Sequence, residues 1–185
     1  MSRDDTTLLV IDVQEKLVRA MPRAARLVWN IGRLIDGARL LGVVVAGTEQ
    51  YPRGLGPTVP ALADRLGPLP EKLSFSVAGC EPLVRQLAAA SRPHILVCGI
   101  EAHVCVQQSV LDLLHAGYRV SVAADAVESR SDEDRTTALR RLEASGATLT
   151  TVEAALFEWC AAAGTSEFKA LSQLVKSTFP PETPS

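Results

Sequence analysis

The 185-residue chain has no apolar stretch of membrane-spanning length and no run of Lys or Arg that gathers into a basic patch. The first absence argues against a spanning helix, which needs about 18 or more consecutive apolar residues. The second, with 19 basic against 21 acidic residues and a formal net charge of −2, argues against nucleic acid or an anionic membrane as partner. The first apolar run follows Arg3, Asp4 and Asp5 and is cut short by Asp12, a pattern unlike a secretory h-region. The expectation is therefore a cytoplasmic protein whose Cys80, Cys98, Cys105 and Cys160 are reduced, so that their even number is no disulfide argument. Internal repeats and low-complexity segments are also missing.

What is present is apolar material, 47% of residues, enough for one large core and little left for a second. Strand-length apolar runs alternate with stretches of helical period, which predicts an α/β domain with a mainly parallel central sheet and helices on both faces, a three-layer Rossmann-like arrangement. The expected strands are 8–12, 43–48, 94–99, 119–124 and 147–152, with a short sixth near 72–74. The expected helices are 24–41, 80–90, 104–116, 132–145 and 166–176. Gly42, Gly117 and Gly146 fall just past helix ends, where left-handed caps belong. The reading is one domain over residues 1–176 and a flexible tail over 177–185, because Pro180-Pro-Glu-Thr-Pro-Ser185 cannot extend a helix.

Three positions carry chemistry. Ile95-Leu-Val-Cys-Gly-Ile-Glu-Ala-His-Val-Cys105 reads as a buried strand that turns after Gly99 and delivers a thiol to the start of a helix. The unpaired N–H groups there favour thiolate and suit a developing oxyanion; the competing reading is one more core cysteine. Asp12 closes the apolar run Leu8-Leu-Val-Ile11, an unusual end for a doubly buried strand unless it caps a helix. Lys72 lies in a short segment between proline breakers and, taken alone, reads as a surface lysine. Together they are an acid, a cation and a thiol, the parts of a nucleophilic amidase. Ligands of open parallel sheets bind beyond the carboxyl ends of the strands; Asp12 and Cys105 both follow strands to that edge, whereas topology does not place Lys72.

At these residues the chain resembles the isochorismatase-like cysteine hydrolases, a family that includes nicotinamidases and carbamoyl-amide hydrolases. The marks are Asp12-Val-Gln14, Lys72 before Leu-Ser-Phe-Ser76, and Gly99-Ile-Glu-Ala-His-Val-Cys105, within a resemblance running from about Thr7 to about Lys176. Thr48-Glu-Gln-Tyr-Pro-Arg-Gly-Leu-Gly56 is similar to the isochorismatase domain-containing subgroup. The resemblance implies that Asp12 takes the thiol proton and passes it to the leaving amine, that Lys72 keeps the aspartate ionised, and that Cys105 attacks. It implies an oxyanion hole from the backbone N–H groups of Glu101 and Cys105, with a cis peptide at Ile100-Glu101, and it implies homo-oligomers, a dimer or tetramer. Family members often carry a small residue in place of Glu101. Isochorismatases proper generally lack the thiol, so Cys105 points to the amidohydrolase branch and a small-molecule substrate.

The expected electrostatics are a depressed Asp12 carboxyl and an easily ionised Cys105 thiol. Gln14, Leu17, Tyr51, Phe75, His103 and Val104 are candidate pocket walls, each equally readable as core or loop. No cofactor is implied. Metal-dependent relatives need an Asp and two His, yet this chain has only His94, His103 and His115 and no histidine in 49–56, so no metal site is expected. Two other readings stay open, a non-catalytic interaction protein that keeps the fold and a redox sensor that uses Cys105. Trp29, Trp159 and Phe168, expected on helices or loops, would be costly to expose and add to the case for an oligomer.

Overall fold

A computed structural model describes residues 1–179 of the chain. In chain order the elements are β1 (Thr6–Ile11), α1 (Glu15–Val18), α2 (Ala24–Leu40), β2 (Val44–Gln50), α3 (Pro52–Leu55), α4 (Pro60–Leu66), β3 (Glu71–Lys72) and α5 (Glu81–Ala90), the last preceded by a 3-10 turn. There follow β4 (His94–Ile100), a π-helical turn over Ala102–Val106, α6 (Gln107–His115), β5 (Arg119–Glu128), α7 (Asp132–Ala144), β6 (Thr148–Thr150), α8 (Val152–Cys160) and α9 (Ser166–Lys176). The strands form one six-stranded sheet in the order β3-β2-β1-β4-β5-β6, every pairing parallel. This is the three-layer Rossmann-like architecture that the alternation of patterns predicts.

The central strands are apolar on both faces, and alternate residues feed two separate cores. Leu8 and Val10 of β1 with Leu96 and Cys98 of β4 join Ile31, Leu34 and Ile35 of α2, Leu62 of α4, Leu156 and Trp159 of α8, and Leu171 of α9. Leu9, Ile11, Ile95 and Val97 face the other way, onto Leu83 and Leu87 of α5, Val110 of α6 and Leu142 of α7. No helix among the described residues is long and apolar enough to cross a membrane.

Strand order reverses between β1 and β4, since β1 leads outward to β2 and β3 while β4 leads the opposite way to β5 and β6. The crevice at such a reversal, beyond the carboxyl ends of the strands, is where this architecture places a ligand. Gly99 permits β1 and β4 to approach there: its φ is +121°, and a Cβ would lie 2.1 Å from the Ile11 carbonyl oxygen.

Several boundaries differ from the sequence reading. β5 continues to Glu128 because a bulge between the Val97–Val122 and Gly99–Val127 pairs takes up the polar Asp125 without ending the ladder. The Asp125 side chain instead accepts the Val152 N–H at the start of α8 (2.8 Å), a helix that the apolar run over 147–152 hides. The aromatic argument for assembly also changes. Trp159 is buried in the core at 1% exposure, Trp29 is covered by the Arg33 guanidinium at 4.3 Å and by Phe179, and Phe168 packs on Phe157. Of the expected tail, Phe179 is thus held against Trp29, while residues 180–185 lie outside those described.

Replacing Gly99 by Ala should destabilise the protein by at least about 2 kcal/mol, since a methyl must enter space held by rigid Ile11 backbone. Urea denaturation checks this; a loss of less than about half that figure would mean that β1 and β4 can part at this edge.

Candidate active site

Asp12 leaves β1 in a left-handed conformation, φ 54°, that aims its side chain across the strand ends. The carboxylate is fully buried. Its Oδ1 accepts from the Thr48 hydroxyl at 2.8 Å and its Oδ2 from Lys72 Nζ at 2.6 Å. Thr48 belongs to β2, next to Ile11 in the parallel register, so the ladder itself delivers it. Lys72 arrives by the following pairing, β2 with β3, which sets it opposite Gln50. Its ammonium, also buried, donates to Asp12, to Gln50 Oε1 at 2.7 Å, and to the carbonyls of Ser74 at 3.2 Å and Phe75 at 2.9 Å. Lys72 is therefore no surface lysine, and Asp12 caps no helix.

Cys105 lies in the π-helical turn that leads into α6, and its carbonyl accepts from the Ser109 hydroxyl at 2.5 Å. Cys105 is 5% exposed, and the charges of Asp12 and Lys72 both act on its thiol. The electrostatics depart from expectation on both counts. Burial lifts the Asp12 carboxyl above its ordinary range, against the opposing pull of Lys72 and Thr48. Burial first and the Asp12 charge second push the Cys105 thiol up to about 12, with Lys72 offsetting only part. Desolvation penalises any charged form, and here it outweighs the neighbouring cation. The thiol is thus held in its neutral form beside the Lys72–Asp12 salt bridge. The thiol of Cys98, enclosed in β4, is raised for the same reason.

The Ile100–Glu101 peptide is cis. The Glu101 carbonyl accepts the N–H groups of Val104 and Val106, both at 3.1 Å, while its own N–H makes none of the hydrogen bonds found among the described residues. The Glu101 carboxylate turns to Arg130, taking Nε at 3.0 Å and the backbone N–H at 3.3 Å.

The candidate walls separate into two groups. Tyr51 borders a cavity of about 370 Å³ together with Arg53, Glu71, Lys72 and Leu73; Phe75, half exposed, stands on the loop whose carbonyls hold Lys72. The other four do different work. Gln14 is a buried staple: its amide donates to the carbonyls of Gln50 (2.9 Å) and Gly56 (2.7 Å) and accepts the Gln50 N–H (2.7 Å), so both of its N–H donors are engaged by backbone. Leu17 and Val104 pack against the two cores. His103 turns from the pair toward Ser129 Oγ at 2.9 Å and Asp134 at 3.9 Å. Thr48 and Gln50 were missed. Thr48 could have been found, since the expected strand 43–48 ends on it at the ligand edge; Gln50 gives no such signal. Among the described residues no group of three or more His, Cys, Asp or Glu is placed to hold a metal ion.

Comparison with known proteins agrees with this architecture. Residues 6–154 match the isochorismatase domain. Isochorismatase domain-containing protein 2 of Pongo abelii is 42% identical over 177 residues, covering 94% of this chain and 84% of that one. The structure of the MAR1 ribonuclease from Caenorhabditis elegans superposes with a TM-score of 0.90 at 36% identity, covering 100% of this chain and 97% of the other. The YcaC gene product of Escherichia coli, described as an octameric hydrolase of unknown specificity, shares the fold with a TM-score of 0.87 at 21% identity, over 94% of this chain and 89% of that one. From the match over most of its length and the identity to these relatives, the chain belongs to the isochorismatase-like hydrolase family.

Proposed function

We propose that the protein hydrolyses a small amide or related carbonyl compound through a thioester on Cys105. The observation that carries this reading is the meeting of a buried Asp12–Lys72 pair and a thiol at the strand-order reversal. Because the thiol rests neutral, Asp12 accepts its proton as sulfur attacks the carbonyl carbon, and the carbonyl π pair moves to oxygen. The N–H groups of Glu101 and Cys105 face that oxygen in this scheme. Collapse of the tetrahedral species breaks the C–N bond, and the departing amine takes the proton from Asp12. Water then attacks the thioester, gives one proton to Asp12, and expels the thiolate, which recovers that proton. Lys72 holds the Asp12 carboxylate in place, with four acceptors around its three N–H donors.

The rival readings are less well supported. A peroxide-sensing thiol works through an accessible thiolate, whereas Cys105 is buried and pushed up to about 12. A scaffold that had lost its chemistry would gain nothing from an ion pair whose desolvation is costly.

We also propose that the protein works as a homo-oligomer. Tyr51, Leu73 and Phe75, exposed by 50%, 77% and 52%, gather on the segments around Lys72, where apolar surface is costly to leave in water. YcaC, described as an octamer, offers a precedent for assembly of this fold.

A panel of small amides, ureas, esters and a short RNA, assayed with and without EDTA, should show turnover of an amide or ester that survives the chelator. In Cys105→Ala the rate should fall by about a thousandfold or more. Turnover of RNA alone, or full activity in Cys105→Ala, would refute the mechanism. A second expectation concerns pH. Asp12 acts as a base, so it must be ionised, and the Thr48 hydrogen bond holds its carboxyl down against burial. Thr48→Val removes that support and should move the acid limb of kcat/KM to higher pH, as measured between about pH 5 and 8. An unmoved limb would take Asp12 out of the proton transfer. Light scattering at micromolar concentrations should give a dimer or larger; a monomer throughout would overturn the assembly.

A further inference from the structure

The turn that carries Cys105 is strapped to the chain segment that follows β5. The last β4–β5 pair is Ile100 with Glu128, and beyond it three contacts continue the union without a ladder. Arg130 gives its Nε and its backbone N–H to the Glu101 carboxylate, at 3.0 and 3.3 Å. His103 Nδ1 meets Ser129 Oγ at 2.9 Å. The strap is itself anchored, because the buried Glu128 carboxylate takes the Ser129 N–H at 3.1 Å and two donors of Arg23, at 2.7 and 2.9 Å.

Glu101 is the residue through which this strap reaches the chemistry. Its side chain is only 9% exposed, and both hydrogen bonds described for its carboxylate come from Arg130. A buried carboxylate without partners is costly, so the side chain stays where Arg130 is. The peptide N–H of the same residue is the one assigned above to the oxyanion, so fixing the side chain fixes the donor. The charge matters too, since Glu101 adds to the forces that keep the thiol neutral. The Arg130 side chain is 63% exposed, so solvent screens its end of the pair, while the Glu101 carboxylate is buried.

We infer that Arg130 is a positioning residue that acts through Glu101 to hold the oxyanion-binding peptide in place, an inference that rests on Cys105 being the nucleophile. The test uses propanal, which adds reversibly to a thiol: the S–C bond forms, the carbonyl π pair moves to oxygen, and the thiol proton ends there as a hemithioacetal hydroxyl. That oxygen occupies the position of the oxyanion. Iodoacetamide alkylates the same sulfur by displacing iodide and places no charge on an oxygen at those N–H groups. With 13C-labelled propanal and NMR, Arg130→Ala should weaken the Cys105 adduct by about tenfold, while the alkylation rate changes by less than about threefold. Arg130→Lys, which restores the charge but not the planar fork, should recover part of the loss. Equal changes in the two reactions, or no change in either, would overturn the positioning role. A wild-type protein that forms no adduct at Cys105 would instead remove the nucleophile reading, and this inference with it.

Discussion

The site is organised by one buried ion pair. Burying a carboxylate and an ammonium together is tolerable only when the remaining lone pairs and protons also find partners. Asp12 has Thr48 on its second oxygen, and Lys72 has Gln50 and two carbonyls besides. Each partner fixes a further element. Thr48 requires the β1–β2 register, Gln50 requires β3 at the sheet edge, and the carbonyls of Ser74 and Phe75 require the loop beyond β3 to fold back over the ammonium. Gln14 closes the circuit by holding the backbone of Gln50 and Gly56. Removing the lysine alone would leave a buried carboxylate unpaired, a change that typically costs about 3–5 kcal/mol.

The same burial decides the chemistry of the thiol. A cysteine near a cation and a helix start is expected to ionise easily, yet Cys105 sits where desolvation and an adjacent carboxylate both oppose the thiolate. Such a thiol reacts slowly with electrophiles in solvent and gains from a group that takes its proton. Asp12, lifted above the ordinary carboxylate range, is a better proton acceptor for the purpose. In the proposed mechanism the carboxyl and the thiol are therefore coupled, and the proton moves with the attack instead of before it.

The sheet supplies the rest. A reversal of strand order leaves a crevice between β1 and β4, and the two separately packed cores hold those strands rigidly enough for loops at their ends to be placed. Around the crevice the loops divide the labour. The end of β2 and the loop after β3 hold the ion pair, and the segment after β5 holds the turn that carries Cys105.

What the sequence by itself determined was whatever local pattern encodes. Doubly apolar runs give β1 and β4, helical period with a glycine just past each end gives α2, α6 and α7, and strand ends give the shared edge of Asp12 and Cys105. The family motifs singled out Lys72 but could not place it. Its position depends on a two-residue edge strand, too short for any periodicity, and on a register 60 residues from Asp12 in the chain. Only the tertiary structure decided that Gln14 is a staple, that His103 faces Ser129, and that Trp159 is core. Only it could set the protonation of the site. The composition of a motif shows which charges are near one another, but whether attraction or desolvation prevails depends on how much water the surrounding fold excludes.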